Sequence, residues 1–179
     1  MNRRTLGFFV AGLALALALG WLGLPHLLFA RAEQPLRFSH KTHASTGSGC
    51  ADCHPIGEDG RFAGIPRVES CAGCHAEPQG STSDERRLVE EYVKPGREIP
   101  WLVYSRQPEN VRFPHAVHVK RGGIACERCH GAHGESDALP VHETNRITGY
   151  SRDLTKMTDC ESCHAEHFPE RTACLACHK

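Results

Sequence analysis

The ten cysteines of this 179-residue chain all fall in five Cys-x-x-Cys-His pentapeptides: Cys50/Cys53-His54, Cys71/Cys74-His75, Cys126/Cys129-His130, Cys160/Cys163-His164 and Cys174/Cys177-His178. Two thiols a turn apart can form thioether bonds to the two vinyl groups of one porphyrin, and the adjacent imidazole then reaches the iron. Five motifs that leave no cysteine over therefore point to five covalently bound c-type haems. The other chemistries open to paired cysteines fit less well. A disulfide framework does not need a histidine after every second cysteine. Tetrahedral zinc sites consume such pairs in twos and would orphan one of five. Thioredoxin-like motifs come singly, in a strand-helix setting that is missing here.

What closes the opposite face of each iron decides the chemistry: a second strong ligand makes an electron carrier, an open position a possible catalyst. Besides the five proximal histidines and His26, the chain offers His40, His43, His115, His118, His133, His142 and His167, and Met157 is the only methionine after the first residue. Phe38-Ser39-His40-Lys41-Thr42-His43 precedes Cys50, and Phe113-Pro114-His115-Ala116-Val117-His118 precedes Cys126. Histidines three apart on a helical turn emerge on one face, so one short segment can serve two adjacent haems. His40, His43, His115 and His118 are thus the expected distal ligands. For the fifth position Met157, three residues before Cys160, would raise that haem's potential through its thioether, and His142 is the rival. His133 and His167 read as surface histidines or propionate partners, and His26 as an interfacial histidine with no haem role.

These residues need elements to hold them, and the sequence supplies few. After the first thirty residues about 150 remain for five haems, too few to wrap each in its own core. The expected fold is mostly irregular with short α-helices, its haems packed against one another, and 17 Gly and 11 Pro supply turns. The 21 basic and 21 acidic residues balance, so nothing points to nucleic acid.

Residues 1–30 read as an N-terminal membrane anchor. Arg3 and Arg4 precede an uncharged apolar run from Leu6 to Leu24, near the length of a span, with Trp21 toward the outer interface. By the positive-inside rule the haem domain then lies on the periplasmic side of the inner (cytoplasmic) membrane. Ala30-Arg31-Ala32 also fits a cleavage site, which would make the run a removable signal. Beyond it the repeat divides the chain into a two-haem module (31–80), a connector (81–112) and a three-haem module (113–179). The connector predicts a short amphipathic helix over 83–93, with Ser83 as its cap and Lys94-Pro95-Gly96 as its stop. The apolar Ile99-Pro100-Trp101-Leu102-Val103-Tyr104 strip follows, as core or as a docking element.

The Phe-x-His-x-x-His pattern followed by closely spaced attachment motifs resembles the cytochrome c3/c7 class of small multihaem proteins. The run from Glu98-Ile99-Pro100-Trp101 through His115 and His118 into Cys126, with Met157 before Cys160, resembles more narrowly the pentahaem subunit of alternative complex III and of related periplasmic menaquinone reductase complexes. The stretches Gly131-Ala132-His133-Gly134 and His142 to Leu154 depart from that pattern. The resemblance implies c3/c7-like modules and electron exchange between a membrane quinone-linked complex and periplasmic redox partners. It also implies partner subunits carrying iron-sulfur centres and integral membrane quinone sites.

An alternative is a soluble periplasmic pentahaem carrier feeding a terminal reductase, which follows if the leader is cut. An enzyme such as a multihaem nitrite reductase would need an open, high-spin haem. Here no motif exchanges its histidine for lysine, and candidate ligands outnumber vacant sites. The expectation is an electron-transfer protein with no catalytic residues of its own.

Overall fold

The computed structural model describes residues 2–171 and 173–178. A continuous apolar helix runs over Arg3–Leu28. Within it α1 (Arg3–Ala18) passes through a π-helical turn at Leu19–Gly23 into α2 (Leu24–Leu28). Pro25 explains the wide turn: it has no N–H to give and its ring would clash with the carbonyl four residues back, so the chain expands just before it. The 26-residue helix is about 39 Å long at 1.5 Å per residue, more than the roughly 30 Å of a bilayer's hydrocarbon core. Most of its side chains are exposed, Phe8 at 80% and Trp21 at 83%. By length and composition it is fit to cross a membrane.

The helix is tied to the body by one small ribbon. Strand β1 (Phe29–Ala32) pairs antiparallel with β2 (His142–Asn145), Phe29 opposite Asn145 and Ala32 opposite His142. Glu143 on β2 takes Arg31 at 3.1 Å and Arg152 at 2.9 Å. The rest is short helices and loops, as the composition led us to expect: α3 (His40–Ser45), α4 (Cys50–Cys53), α5 (Val68–His75), α6 (Ser83–Arg87), α7 (Glu127–His130), α8 (Met157–His167) and α9 (Cys174–Cys177).

Most of the apolar packing among the described residues lies around the connector. Leu36, Val68, Tyr92 and Ile99 form one buried cluster, with Cys71, Leu88, Val93 and Trp101 packed against it. The helix expected over 83–93 is present, but it is α6 followed by a π-helical segment, Leu88–Val93, and its cap is Thr82, whose side chain accepts the Glu85 N–H. Ser83 falls one residue inside. The π register turns Val89 and Tyr92 inward together, and Gly96, at φ +63°, ends the segment. Within the apolar strip Ile99 is buried and Trp101 packs against the cluster while Pro100 is exposed, and Glu98 beside Ile99 receives the Val68 N–H at 3.0 Å, so the connector caps α5.

The two copies of the sequence repeat are laced together. Lys41 N–H donates to Ser136 at 3.1 Å, and Ala116 N–H to Gly60 at 2.8 Å. Gly60 sits at φ +68°, and a Cβ there would lie 2.7 Å from the Ala116 Cβ, so only glycine permits the contact.

Candidate haem sites

Each attachment motif begins or lies within a helical turn that sets its two thiols on one side. α4 and α9 consist of the Cys-x-x-Cys segments themselves, α5 ends on His75, α7 on His130, and α8 carries Cys160, Cys163 and His164. No two of the ten cysteines are joined in a disulfide. Burial raises the thiol of Cys50, with the Cys126 thiol beside it as the next cause. The same holds for Cys71 beside Cys53, Cys129 beside Cys163, and Cys160 beside Cys177.

The histidine pairs expected to be distal stand opposite four of the proximal histidines. His40 faces His54 with ring centres 6.5 Å apart, His43 faces His75 at 6.2 Å, His115 faces His130 at 6.3 Å, and His118 faces His164 at 6.1 Å. Two imidazoles bound to opposite faces of one metal, each through a nitrogen at about 2.0 Å, have ring centres roughly 6 Å apart. The four separations match that span.

The ring nitrogens agree with it. Nδ1 of His43 donates to the Ser39 carbonyl at 2.8 Å, that of His54 to Gly64 at 2.8 Å, that of His115 to Arg61 at 2.6 Å, and that of His118 to Pro114 at 3.0 Å. A carbonyl only accepts, so Nδ1 carries the proton and the Nε2 lone pair is left for a metal. His75 directs Nδ1 at Glu85 Oε1, 3.1 Å away, a close polar contact whose angle falls short of an aligned hydrogen bond. Burial alone would raise the Glu85 carboxyl, but the amides of Gln79 and Gly80 and then the His75 ring hold it below its ordinary value. Burial, reinforced by neighbouring imidazoles, lowers His40 and His130, which keeps both neutral and able to ligate.

One aromatic ring organises each pair. Phe38 packs edge-on to His40 at 5.0 Å and stacks on His43 at 4.2 Å, while Phe113 repeats this with His115 at 5.0 Å and His118 at 4.3 Å. The conserved geometry of the two copies gives the repeated Phe a purpose that its spacing alone did not disclose. The carbonyl acceptors and Glu85 were also missed, since nothing in the sequence marks a distant backbone oxygen or a carboxylate that arrives through tertiary contact.

The remaining candidates divide. Met157 opens α8, 54% exposed, one turn before Cys160, whose sulfur neighbours Cys177 of the fifth motif. His142 has its Nε2 engaged with Thr144 Oγ1 at 2.6 Å. It lines an open cavity of about 630 Å³ with Arg106, Asn110 and Tyr150, whose wall contains no attachment cysteine. His133 lies against His40 and Tyr104, at 6.0 and 5.9 Å, and His167 is an exposed side chain near Glu166. His26 sits at the anchor's end beside Trp21 and Phe29.

Among the described residues no three His, Cys, Asp or Glu side chains converge as a zinc cluster requires. The buried Trp101 Nε1 and His40 Nδ1 have no protein acceptor, and large apolar side chains such as Phe62, Leu175 and Phe168 stand exposed outside the anchor. Orphaned donors and uncovered apolar surface suit a large apolar ring with carboxylate arms.

Comparison with known proteins agrees. A family described as cytochrome c3 matches residues 42–143, and one described as cytochrome c7 and related cytochrome c matches residues 111–179. The chain belongs to this c3/c7 family: it is a multihaem c-type cytochrome, an electron-transfer protein that binds c-type haem. Over 96% of its own length and 89% of the relative's, it is 44% identical to the multihaem cytochrome c subunit of menaquinone reductase from Nitratidesulfovibrio vulgaris (strain Hildenborough).

Proposed function

We propose that the chain is a pentahaem electron-transfer subunit of a membrane quinone-linked complex, exchanging electrons with periplasmic redox partners. Its haem-binding body would lie outside the cytoplasmic membrane, and its partners would be iron-sulfur and integral quinone-binding subunits. The observation that carries the reading is the set of four imidazole pairs at 6.1 to 6.5 Å, each joining one distal to one proximal histidine. The relative's identity as a menaquinone reductase subunit supports the quinone link.

In this reading Cys50/Cys53, Cys71/Cys74, Cys126/Cys129, Cys160/Cys163 and Cys174/Cys177 hold the porphyrins, and His54, His75, His130, His164 and His178 bind the irons from the proximal side. The distal ligands are His40 for the first motif, His43 for the second, His115 for the third and His118 for the fourth. Met157 serves the fifth, favoured by the engagement of His142 Nε2 with Thr144. Bound haem supplies one-electron chemistry at each site. In each of the four pairs the protein fixes the tautomer of one axial ligand through a backbone carbonyl, which limits reorganisation, and the paired imidazoles leave no coordination position for substrate. The division into two- and three-haem modules about the connector at 81–112 follows the same reading, with the buried Trp101 Nε1 donating to a propionate.

Retention of the anchor is supported by the ribbon: Ala30, Arg31 and Ala32, the candidate cleavage residues, are all paired with β2. A mature chain starting near Glu33 would lose that strand and point to the soluble carrier. The test is purification of the native protein from membranes with N-terminal sequencing. An intact N-terminus with co-purifying iron-sulfur and polytopic subunits is the expected result; a stable soluble monomer lacking the first thirty residues would refute the proposal.

A further inference from the structure

The structure assigns the five haem sites to a single file in the order second, first, third, fourth, fifth motif, so that the second and fifth are the ends through which partners exchange electrons. This deepens the pentahaem reading and rests on it.

Each joint has its own geometry. The second and first sites share α3, because His43 and His40, three residues apart, face His75 and His54 respectively. The third and fourth share the turn from His115 to His118 in the same way, through His130 and His164. The first and third meet across the halves of the molecule. Cys50 Sγ lies 3.7 Å from Glu127, which stands between Cys126 and Cys129. There His40 packs against His133, three residues past His130, at 6.0 Å, and His115 Nδ1 donates to Arg61 O at 2.6 Å. The fourth and fifth motifs are ten residues of chain apart from His164 to Cys174. The fifth is drawn in by Arg112 N–H donating to the Cys177 carbonyl at 2.7 Å and by the Val111 to His178 bridge, just ahead of His115. The neighbouring thiols described above repeat the same four joints. No such contact among the described residues joins the second motif to the third, fourth or fifth. The sequence order of the motifs is thus not their spatial order: the first site is interior.

Iron positions in the full-length holoprotein, extracted in detergent and located by anomalous scattering at the iron edge, test this. The expected result is that the first-motif iron has the second and third as its two nearest neighbours, and that the second and fifth have one near neighbour each, the first and fourth. A second-motif iron closer to the third, fourth or fifth than to the first would overturn the order. Fewer than five irons would instead overturn the five-haem reading. A solution experiment is independent of crystals. Cys71→Ser with Cys74→Ser should change the low-temperature magnetic resonance signal of the first haem alone, whereas Cys126→Ser with Cys129→Ser should change those of the first and fourth. Perturbation of the third or fifth haem by loss of the second would contradict the file.

Discussion

A histidine ring can be a ligand only if its free nitrogen points at the metal, and here the protonated Nδ1 of His118 is fixed by a carbonyl one turn back in the chain. Replacing it should open one iron. We expect His118→Ala to give a high-spin signal and carbon monoxide binding amounting to about one haem in five, with His133→Ala and His167→Ala leaving the spectrum unchanged. Phe113 stacks on that ring at 4.3 Å. Phe113→Leu should cost about 0.5–1.5 kcal/mol of stability, and spectroscopic heterogeneity should appear at the third and fourth haems and not at the others. Glu85 faces His75, so it makes that imidazole more electron-rich. Glu85→Gln should raise the potential of the second haem in a redox titration. Because the folded carboxyl is held below its ordinary value of 4.5, its stabilising contribution is complete above that value and is lost as pH falls through the lower, folded one. The variant should therefore flatten the acid limb of a pH–stability curve.

At the scale of elements the local signals decide how much could be read in advance. Phe-x-His-x-x-His, standing twice before a Cys-x-x-Cys-His motif, marks four candidate ligands because a helical turn fixes where residues three apart point. The sequence assigns none of them to an iron, since α3 reaches α4 and α5 only through tertiary packing. The β1–β2 ribbon was illegible: Phe29-Ala30-Arg31-Ala32 and His142-Glu143-Thr144-Asn145 show no alternation of apolar and polar residues, and their partners are 110 to 116 positions apart. The connector helix was legible to within one residue, and the error has a physical source. Thr82 and Ser83 are both good caps, and only Thr82 lets the side chain reach Glu85 N–H three residues on. Thr82→Ala should destabilise the holoprotein by about 1 kcal/mol in chemical denaturation. Gly60→Ala should cost more, roughly 1–3 kcal/mol, because it combines a positive φ with a Cβ that would meet Ala116. Val89, fully buried in the π segment, should lose about 2 kcal/mol on replacement by Ala.

For the whole molecule, the small core implies that haem is a structural component as well as a redox one. The principal buried cluster gathers near the connector, and large apolar side chains such as Phe62, Phe168 and Leu175 stand exposed elsewhere in the body. Blocking haem attachment in the cell should yield a chain that is degraded or that exchanges its backbone amides throughout the region after residue 40, apart from the connector cluster. Hydrogen exchange on any recovered apoprotein measures this. The anchor is separable in principle: most of its side chains are exposed, and it joins the rest through β1 and the Arg146 N–H bond to the Leu28 carbonyl at its end.

Electron paramagnetic resonance of the oxidised, full-length holoprotein reaches the central claim most directly. Five low-spin ferric haems are expected, four of bis-imidazole type from the rings paired at about 6 Å and one of imidazole–thioether type. High-spin signal amounting to two or more of the five would contradict the pairing from which the function was argued.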